Sequence, residues 1–475
     1  MIRQPSTTHF PGSPSMTKSL VTLKPQVALL LMLLLPASYL AAAPSEWGAS
    51  AEARLTPSVA LVQLLGSTGG TNGISLAGPS ADRAPEPSAS LLLEAAILFS
   101  DPDEARAKST RQAVLLAMEE ATGLADRHST DYELGEAVLA LAHERFFTRY
   151  VEAESRLDAA VLDGRYNCVS SSALYLILAR AAGLDAGGVI TKDHSFCVIQ
   201  AGDRTIDIET TNPFGFDPGS KKEFQDSFGR VTGYSYVPPS DYRSREKVDG
   251  RHLMALILWN RATLLERSGQ WAQAVALAVD AYAYSPDPGS QRQLEDRLYN
   301  NAGALLNEKR WREALPFLER AIGLYGPSTR LEGLAGQARL AILADELELM
   351  DPRSGIAAIA DAWEQGLVDR KHRDELLAYA YGRLAEDERS VGGWSAAWEA
   401  LKQGMAAAPQ SSQLARMAET ARKNWTYEIH NRFAILYNEG NYQEAFAVME
   451  EALTVLPGER LFRDDAATAL KAIKP

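Results

Sequence analysis

Residues 165–184 read RYNCVSSSALYLILARAAGL. The apolar run predicts a helix from Cys168 to about Ala182, with Gly183 as the residue just past its end. The chain has only two cysteines, and one stands at the start of this helix. A thiol there has three readings: a nucleophile, half of a disulfide, or buried apolar filler.

On the N-terminal side, residues 91–165 read as helical. LLLEAAILF, RQAVLLAMEEA and YELGEAVLALAHERFF carry apolar residues at three- and four-residue spacing. Between the first two, Asp101 reads as an N-cap and Pro102 as the first helical residue. On the C-terminal side the period changes. GGVITKDHSFCVIQAGDRTIDIETTNPFG alternates and is rich in β-branched residues, with residues 201–203 as a hairpin turn and the pair Gly187 and Gly188 as another turn. Residues 212–239 read as a Gly- and Pro-rich loop, with SYVPPSDY as a boundary.

This order has chemical content. Unpaired N–H groups at a helix N-terminus favour a thiolate. An imidazole can take the thiol proton, and a carboxylate on its second nitrogen fixes tautomer and orientation. His194 falls on the first strand of the hairpin. Asp207 and Glu209 are two residues apart on the second strand, so they share a face, and either could reach His194. Alternation puts His194, Phe196 and Val198 on one face and Ser195, Cys197 and Ile199 on the other. A His194 that faces Cys168 would therefore turn Cys197 away from it, against a disulfide.

From Arg251 onward the pattern is helical and repeats. Gly269, Lys309, Gly392 and Gly440 are each followed two residues later by Trp271, Trp311, Trp394 and Tyr442. Then come Ala274, Ala314, Ala397 and Ala445, then Ala281, Ala321, Gly404 and Ala452, then Pro286, Gly326 with Pro327 next, Pro409 and Pro457. The small residues allow two helices to pack closely, and the proline ends the second. A degenerate copy fits near residues 354–365.

The stretches YNCVSSSALYLILARAAGL, DHSFCVI and IDIETT resemble the transglutaminase-like core of the papain-like superfamily. The resemblance implies a Cys168–His194–Glu209 triad with Asp207 in reserve; most members carry Asp at the third position, and a bacterial branch has a similar IE-T-T ending. Eukaryotic transglutaminases use a tryptophan at the oxyanion site, whereas here no tryptophan lies between Trp47 and Trp259. The donors would then be the Cys168 backbone N–H with Asn167 or Tyr166. The C-terminal copies resemble the tetratricopeptide (TPR) repeat, at a spacing longer than the family's usual one. The expected fold is an α+β papain-like/transglutaminase-like domain followed by an all-α TPR solenoid. The expected layout is a signal peptide at 1–43, a flexible linker at 44–90, the transglutaminase-like domain at 91–245 and the repeats at 251–475.

The chain has 475 residues and a net charge of −13, with no basic stripe, so a nucleic-acid partner is not expected. VALLLMLLLPASYLAAAP, after Lys18 and Lys24, has the plan of a secretory signal peptide, with Met16 as the better start. It predicts a periplasmic or secreted protein with no stable membrane span after cleavage; Pro36 and the short run argue against an uncleaved anchor. Within 59–65, VALVQLL is an apolar patch that could dock. The remaining histidines, His9, His128, His143, His252, His372 and His430, lack ligand spacing, so no metal is expected, and no phosphate loop or dinucleotide motif implies a cofactor. Two functions follow. One is an exported cysteine hydrolase or acyltransferase whose peptide or protein substrate is recruited by the repeat groove. The other is an inert transglutaminase-like scaffold beside a repeat groove that binds a partner.

Overall fold

A computed structural model describes residues 52–66, 86–219, 221–232 and 245–474. The expected signal peptide lies outside the described residues. The chain is mostly helical with a small sheet region, and it divides into two compact units at residues 335 and 336.

In the first unit, α1 (Val59–Gly66) is followed by α2 (Ala89–Ser100), α3 (Glu104–Ala125) and α4 (Asp131–Arg145). The junction between α2 and α3 is built differently from the sequence reading. Asp101 adopts φ 52 and ends α2, donating its backbone N–H to the Ile97 and Leu98 carbonyls. Asp103 is the N-cap of α3, accepting from the Arg106 N–H at 2.8 Å. Pro102 separates the two aspartates, and a cap carboxylate must stand just before the unpaired N–H groups it serves.

Two short strands, β1 (Arg149–Tyr150) and β2 (Arg165–Tyr166), pair in parallel around α5 (Leu157–Asp163). Next comes α6 (Cys168–Ala181), the centre of the unit. Its residues 169–179 are all buried, because they are uncharged on every side and pack on α2, α3, α4 and α5 and on the sheet. The sheet has the order β5-β4-β3-β6, antiparallel throughout: β3 (Ala186–Ile190), β4 (Ser195–Ala201), β5 (Arg204–Ile208) and β6 (Glu246–Val248). Gly202 supplies the positive φ of the β4–β5 turn. Gly187 and Gly188 are strand residues of β3 rather than a turn. A Cβ on Gly188 would come within 2.9 Å of the Val248 side chain and 3.2 Å of Leu253, so this strand needs glycine to let β6 and the next helix approach. The stretch read as a Gly- and Pro-rich loop contains a helix, α7 (Lys222–Thr232), whose Phe224 and Phe228 are buried one turn apart.

The helices then succeed one another in close-packed pairs: α8 (Gly250–Arg267) with α9 (Trp271–Tyr284), and α10 (Pro288–Asn307) with α11 (Trp311–Tyr325). Three-residue links make each pair antiparallel. The division of the chain does not fall at the 245–251 segment, since α8 packs on α2, α6 and β3 and so shares the core around α6. Within the stretch read as a flexible linker, residues 52–66 are docked. Arg54 grips Asp280 of α9 with both terminal nitrogens at 2.8 and 2.9 Å, Tyr325 of α11 donates its hydroxyl to the Leu55 carbonyl, and Leu61 of the apolar patch is fully buried.

The residue-335 boundary lies inside α12 (Thr329–Leu349). The second unit continues with α13 (Pro352–Glu364), α14 (Arg370–Ala407), α15 (Ser412–Asn438), α16 (Tyr442–Val455) and α17 (Arg460–Ile473). The residues aligned as repeats keep matching places in both units. Ala274, Ala314, Ala397 and Ala445 are all fully buried, and each second helix is followed by its proline. Gly269, Lys309 and Gly440 take positive φ just before it. The third copy differs: its helix breaks at Gly393, φ 69, one residue after the Gly392 chosen by alignment. The degenerate copy falls on α13, whose Ile359 is fully buried.

Candidate active site

The site begins with the cap of α6. Asn167 accepts the Val169 and Ser170 N–H groups on one oxygen, at 2.9 and 3.1 Å, while the Ser170 hydroxyl accepts the Asn167 N–H at 3.0 Å. This reciprocal box consumes the first-turn donors except one. Among the described residues the Cys168 backbone N–H has no partner. Cys168 itself is half-buried at the first helical position.

His194 precedes β4, at its mouth. Its Nε2 is 2.6 Å from Glu209 Oε2, which leaves Nδ1 for the Cys168 thiol. Glu209 follows β5 and is buried. Its other oxygen accepts from the Thr211 hydroxyl at 2.7 Å and the Thr211 N–H at 3.3 Å. Burial pushes the Cys168 thiol up, but hydrogen bonding and charge from His194, with the Ser195 N–H and hydroxyl, outweigh it and hold the thiol below its ordinary value. Burial likewise opposes a charged His194, yet the Glu209 carboxylate and the Cys168 sulfur together hold its pKa well above the ordinary imidazole value. Both directions favour the thiolate–imidazolium pair over the neutral pair.

Of the sequence candidates, then, Cys168, His194 and Glu209 come together. Asp207 goes elsewhere: Arg245 binds it through both terminal nitrogens, one at 2.8 Å, and lies over the Phe196 ring at 5.1 Å. The Phe196 ring also stacks with His194 at 6.2 Å. Asn167 and Tyr166, read as further oxyanion donors, are engaged otherwise. The Asn167 amide N–H goes to the Glu152 carbonyl at 2.8 Å, and the Tyr166 hydroxyl goes to the Thr211 carbonyl at 3.1 Å. Helix capping and loop anchoring compete for those groups.

The two cysteines are free. The alternation argument that turned Cys197 away from Cys168 does not hold in the structure. His194 lies outside the strand, so strand alternation does not govern it. Cys197 faces α6, donating its thiol to the Ser172 carbonyl at 3.3 Å, and burial pushes that thiol far up.

Several supporting residues carried no sequence signal of their own. Ser171 and Ser172 bond the Thr210 hydroxyl at 2.8 and 3.0 Å, tying the Glu209 loop to the nucleophile helix. His143 Nε2 meets the Thr210 carbonyl at 3.1 Å. A run of three serines in an otherwise apolar buried helix was the available clue, since buried hydroxyls require partners. Among the described residues no cluster of three or more His, Cys, Asp or Glu side chains could hold a metal ion, and no helix is long and apolar enough to cross a membrane.

The chain is thus a mostly helical protein in which a small antiparallel sheet brings an imidazole and a carboxylate to a thiol at a helix start. No family model matches it, and no match is found among curated proteins. Among solved structures, the crystal structure of menin, which reveals the binding site for the Mixed Lineage Leukemia protein, aligns over 76% of this chain and 94% of its own, at 15% identity and a TM-score of 0.30. A score that low carries no argument for fold or function.

Proposed function

We propose that the protein is a cysteine-dependent amide hydrolase or acyltransferase of transglutaminase-like type. The observation that carries the proposal is the connected array Cys168–His194–Glu209 at the start of a buried helix. His194 Nδ1 takes the Cys168 proton, and the sulfur attacks the substrate carbonyl. The developing oxyanion is received by the Cys168 N–H, the one first-turn donor left open. His194 then gives its proton to the departing amine or alcohol, leaving a thioester. Water or an acceptor amine releases the acyl group with His194 again as base. Glu209 holds Nε2–H throughout and balances the imidazolium.

The helix start followed by an antiparallel hairpin, in the order thiol, imidazole, acid, supports the papain-like reading of residues 91–245. The buried alanines and the positive-φ turns support the tetratricopeptide reading of the C-terminal helices. Those helices would recruit a peptide or protein substrate, and the leader at 1–43 would export the chain. The test uses p-nitrophenyl acetate as a generic acyl donor. The wild-type protein should release a burst of about one equivalent of nitrophenol, as a thioester accumulates. Cys168→Ala should abolish the burst, and Glu209→Gln should slow acylation at least roughly tenfold by loosening His194. A wild-type protein with no burst, and a thiol that titrates at the ordinary value, would overturn the reading.

A further inference from the structure

Ser195, the first residue of β4, is only 2% exposed, and its hydroxyl makes no well-formed hydrogen bond among the described residues. Buried hydroxyls are ordinarily paired, so an unpaired one needs a reason. Its surroundings supply one. The Ser195 carbonyl is anchored by the Ser172 hydroxyl of α6 at 3.4 Å, and the preceding carbonyl, of His194, accepts the Thr191 N–H at 2.9 Å. The backbone is therefore fixed on both sides. β4 packs on α6, which begins at Cys168, and the hydroxyl and the N–H of Ser195 both act to lower the pKa of that thiol. A neutral thiol is a poor acceptor, whereas a thiolate is a good one.

We infer that Ser195 is a further catalytic group, whose hydroxyl and backbone N–H donate to the Cys168 thiolate and hold it in place for attack. The inference rests on the reading of Cys168 as the nucleophile. It assigns the two sides of the sulfur to different jobs. His194, backed by Glu209, receives the proton, and Ser195 receives the negative charge left on sulfur. When the thioester forms, that charge disappears and the Ser195 donors are released. Their stabilisation thus belongs to the free enzyme and sets how much thiolate is ready at a given pH. It also makes the hydroxyl costly to keep when the thiol is neutral, which accounts for its unpaired state.

The test is the pH dependence of iodoacetamide alkylation at Cys168, located by peptide mass, on the full chain. Wild type should titrate below the ordinary thiol value, and His194→Ala should return it towards that value. Ser195→Ala should move the alkylation midpoint up and reduce the thiolate present at neutral pH roughly tenfold, the scale of one hydrogen bond to a charged group. A second pair covers the case in which alanine weakens the strand. Ser195→Thr keeps a hydroxyl and Ser195→Val replaces it with a methyl group, and both are β-branched residues suited to a strand. Threonine should titrate near wild type and valine near alanine. If wild type is low and His194→Ala raises it, while the threonine and valine proteins titrate alike, the Ser195 inference is overturned and the nucleophile reading stands. If wild type is already ordinary and His194→Ala changes nothing, the nucleophile reading falls and takes the inference with it.

Discussion

His143 shows how a single side chain serves the site from outside it. Burial lowers its pKa to about 4, against a small opposing effect of its bond to the Thr210 carbonyl. It is therefore neutral at physiological pH and donates Nε2–H to that carbonyl, next to Glu209. Its folded pKa lies below the unfolded value of 6.5, so the unfolded chain binds the proton more readily between those two values. Stability is full above pH 6.5, declines as pH falls towards 4, and has lost this contribution entirely below that. The expected loss is about 3 kcal/mol, read from chemical denaturation at a series of pH values. His143→Gln should flatten that slope; an unchanged slope would mean that other groups govern it. The choice between Asp207 and Glu209 belongs to this scale as well. Sequence put both on one strand face, but only the position of Arg245, distant in the chain, assigns Asp207 to an ion pair and leaves Glu209 for His194.

Among elements, the segment after β5 is the most constrained. It turns back on itself so that the Glu209 N–H reaches the Gly215 carbonyl at 2.7 Å. A Cβ on Gly215 would stand 2.0 Å from the Glu209 carbonyl oxygen, with backbone on both sides of the clash. Gly215→Ala should therefore push the Glu209 backbone away, cost about 1–3 kcal/mol in thermal or chemical unfolding, and move the Cys168 alkylation midpoint back up. Destabilisation with an unmoved midpoint would show that the loop yields without disturbing Glu209. The helical pairs follow a second rule. Side chains 34 or 35 residues apart bond across neighbouring helices: Thr263 with Arg297, Glu266 with Asn300, Asp296 with Arg330, and His430 with Asp465. The repeat in the sequence was legible from aromatic, alanine and proline positions. This cross-helix register was not, because it lies on polar residues of varied type.

At the scale of the whole chain, the two compact units each carry their own apolar core. In the second unit one cluster centres on Leu401 and Leu414 and another on Phe433 and Phe462. In the first, residues 52–66 tie the start of the described chain to helices more than two hundred positions later. Asp280 is 11% exposed on its side chain and accepts from Arg54 twice and from the Ser58 N–H at 2.7 Å. Asp280→Asn should loosen that strap, raising hydrogen exchange across residues 52–66 and lowering stability by about 1–3 kcal/mol, since the bonds lost are charge-assisted. Unchanged exchange there would mean that apolar burial of Leu55 and Leu61 holds the segment alone.

The sequence by itself determined the local matters: the apolar helix that starts at Cys168, the hairpin with its glycine turn, and the repeated pairs of helices. Each follows from a short-range period or a cap, which neighbouring residues specify. Only the tertiary structure decided which acid meets His194, that Cys197 faces the helix that carries Cys168, that Asn167 and Tyr166 are spent on anchoring, and that a stretch with linker composition docks on α9 and α11. Those outcomes depend on which donors and acceptors become buried beside one another, and burial obliges each to find a partner wherever the fold brings one within reach.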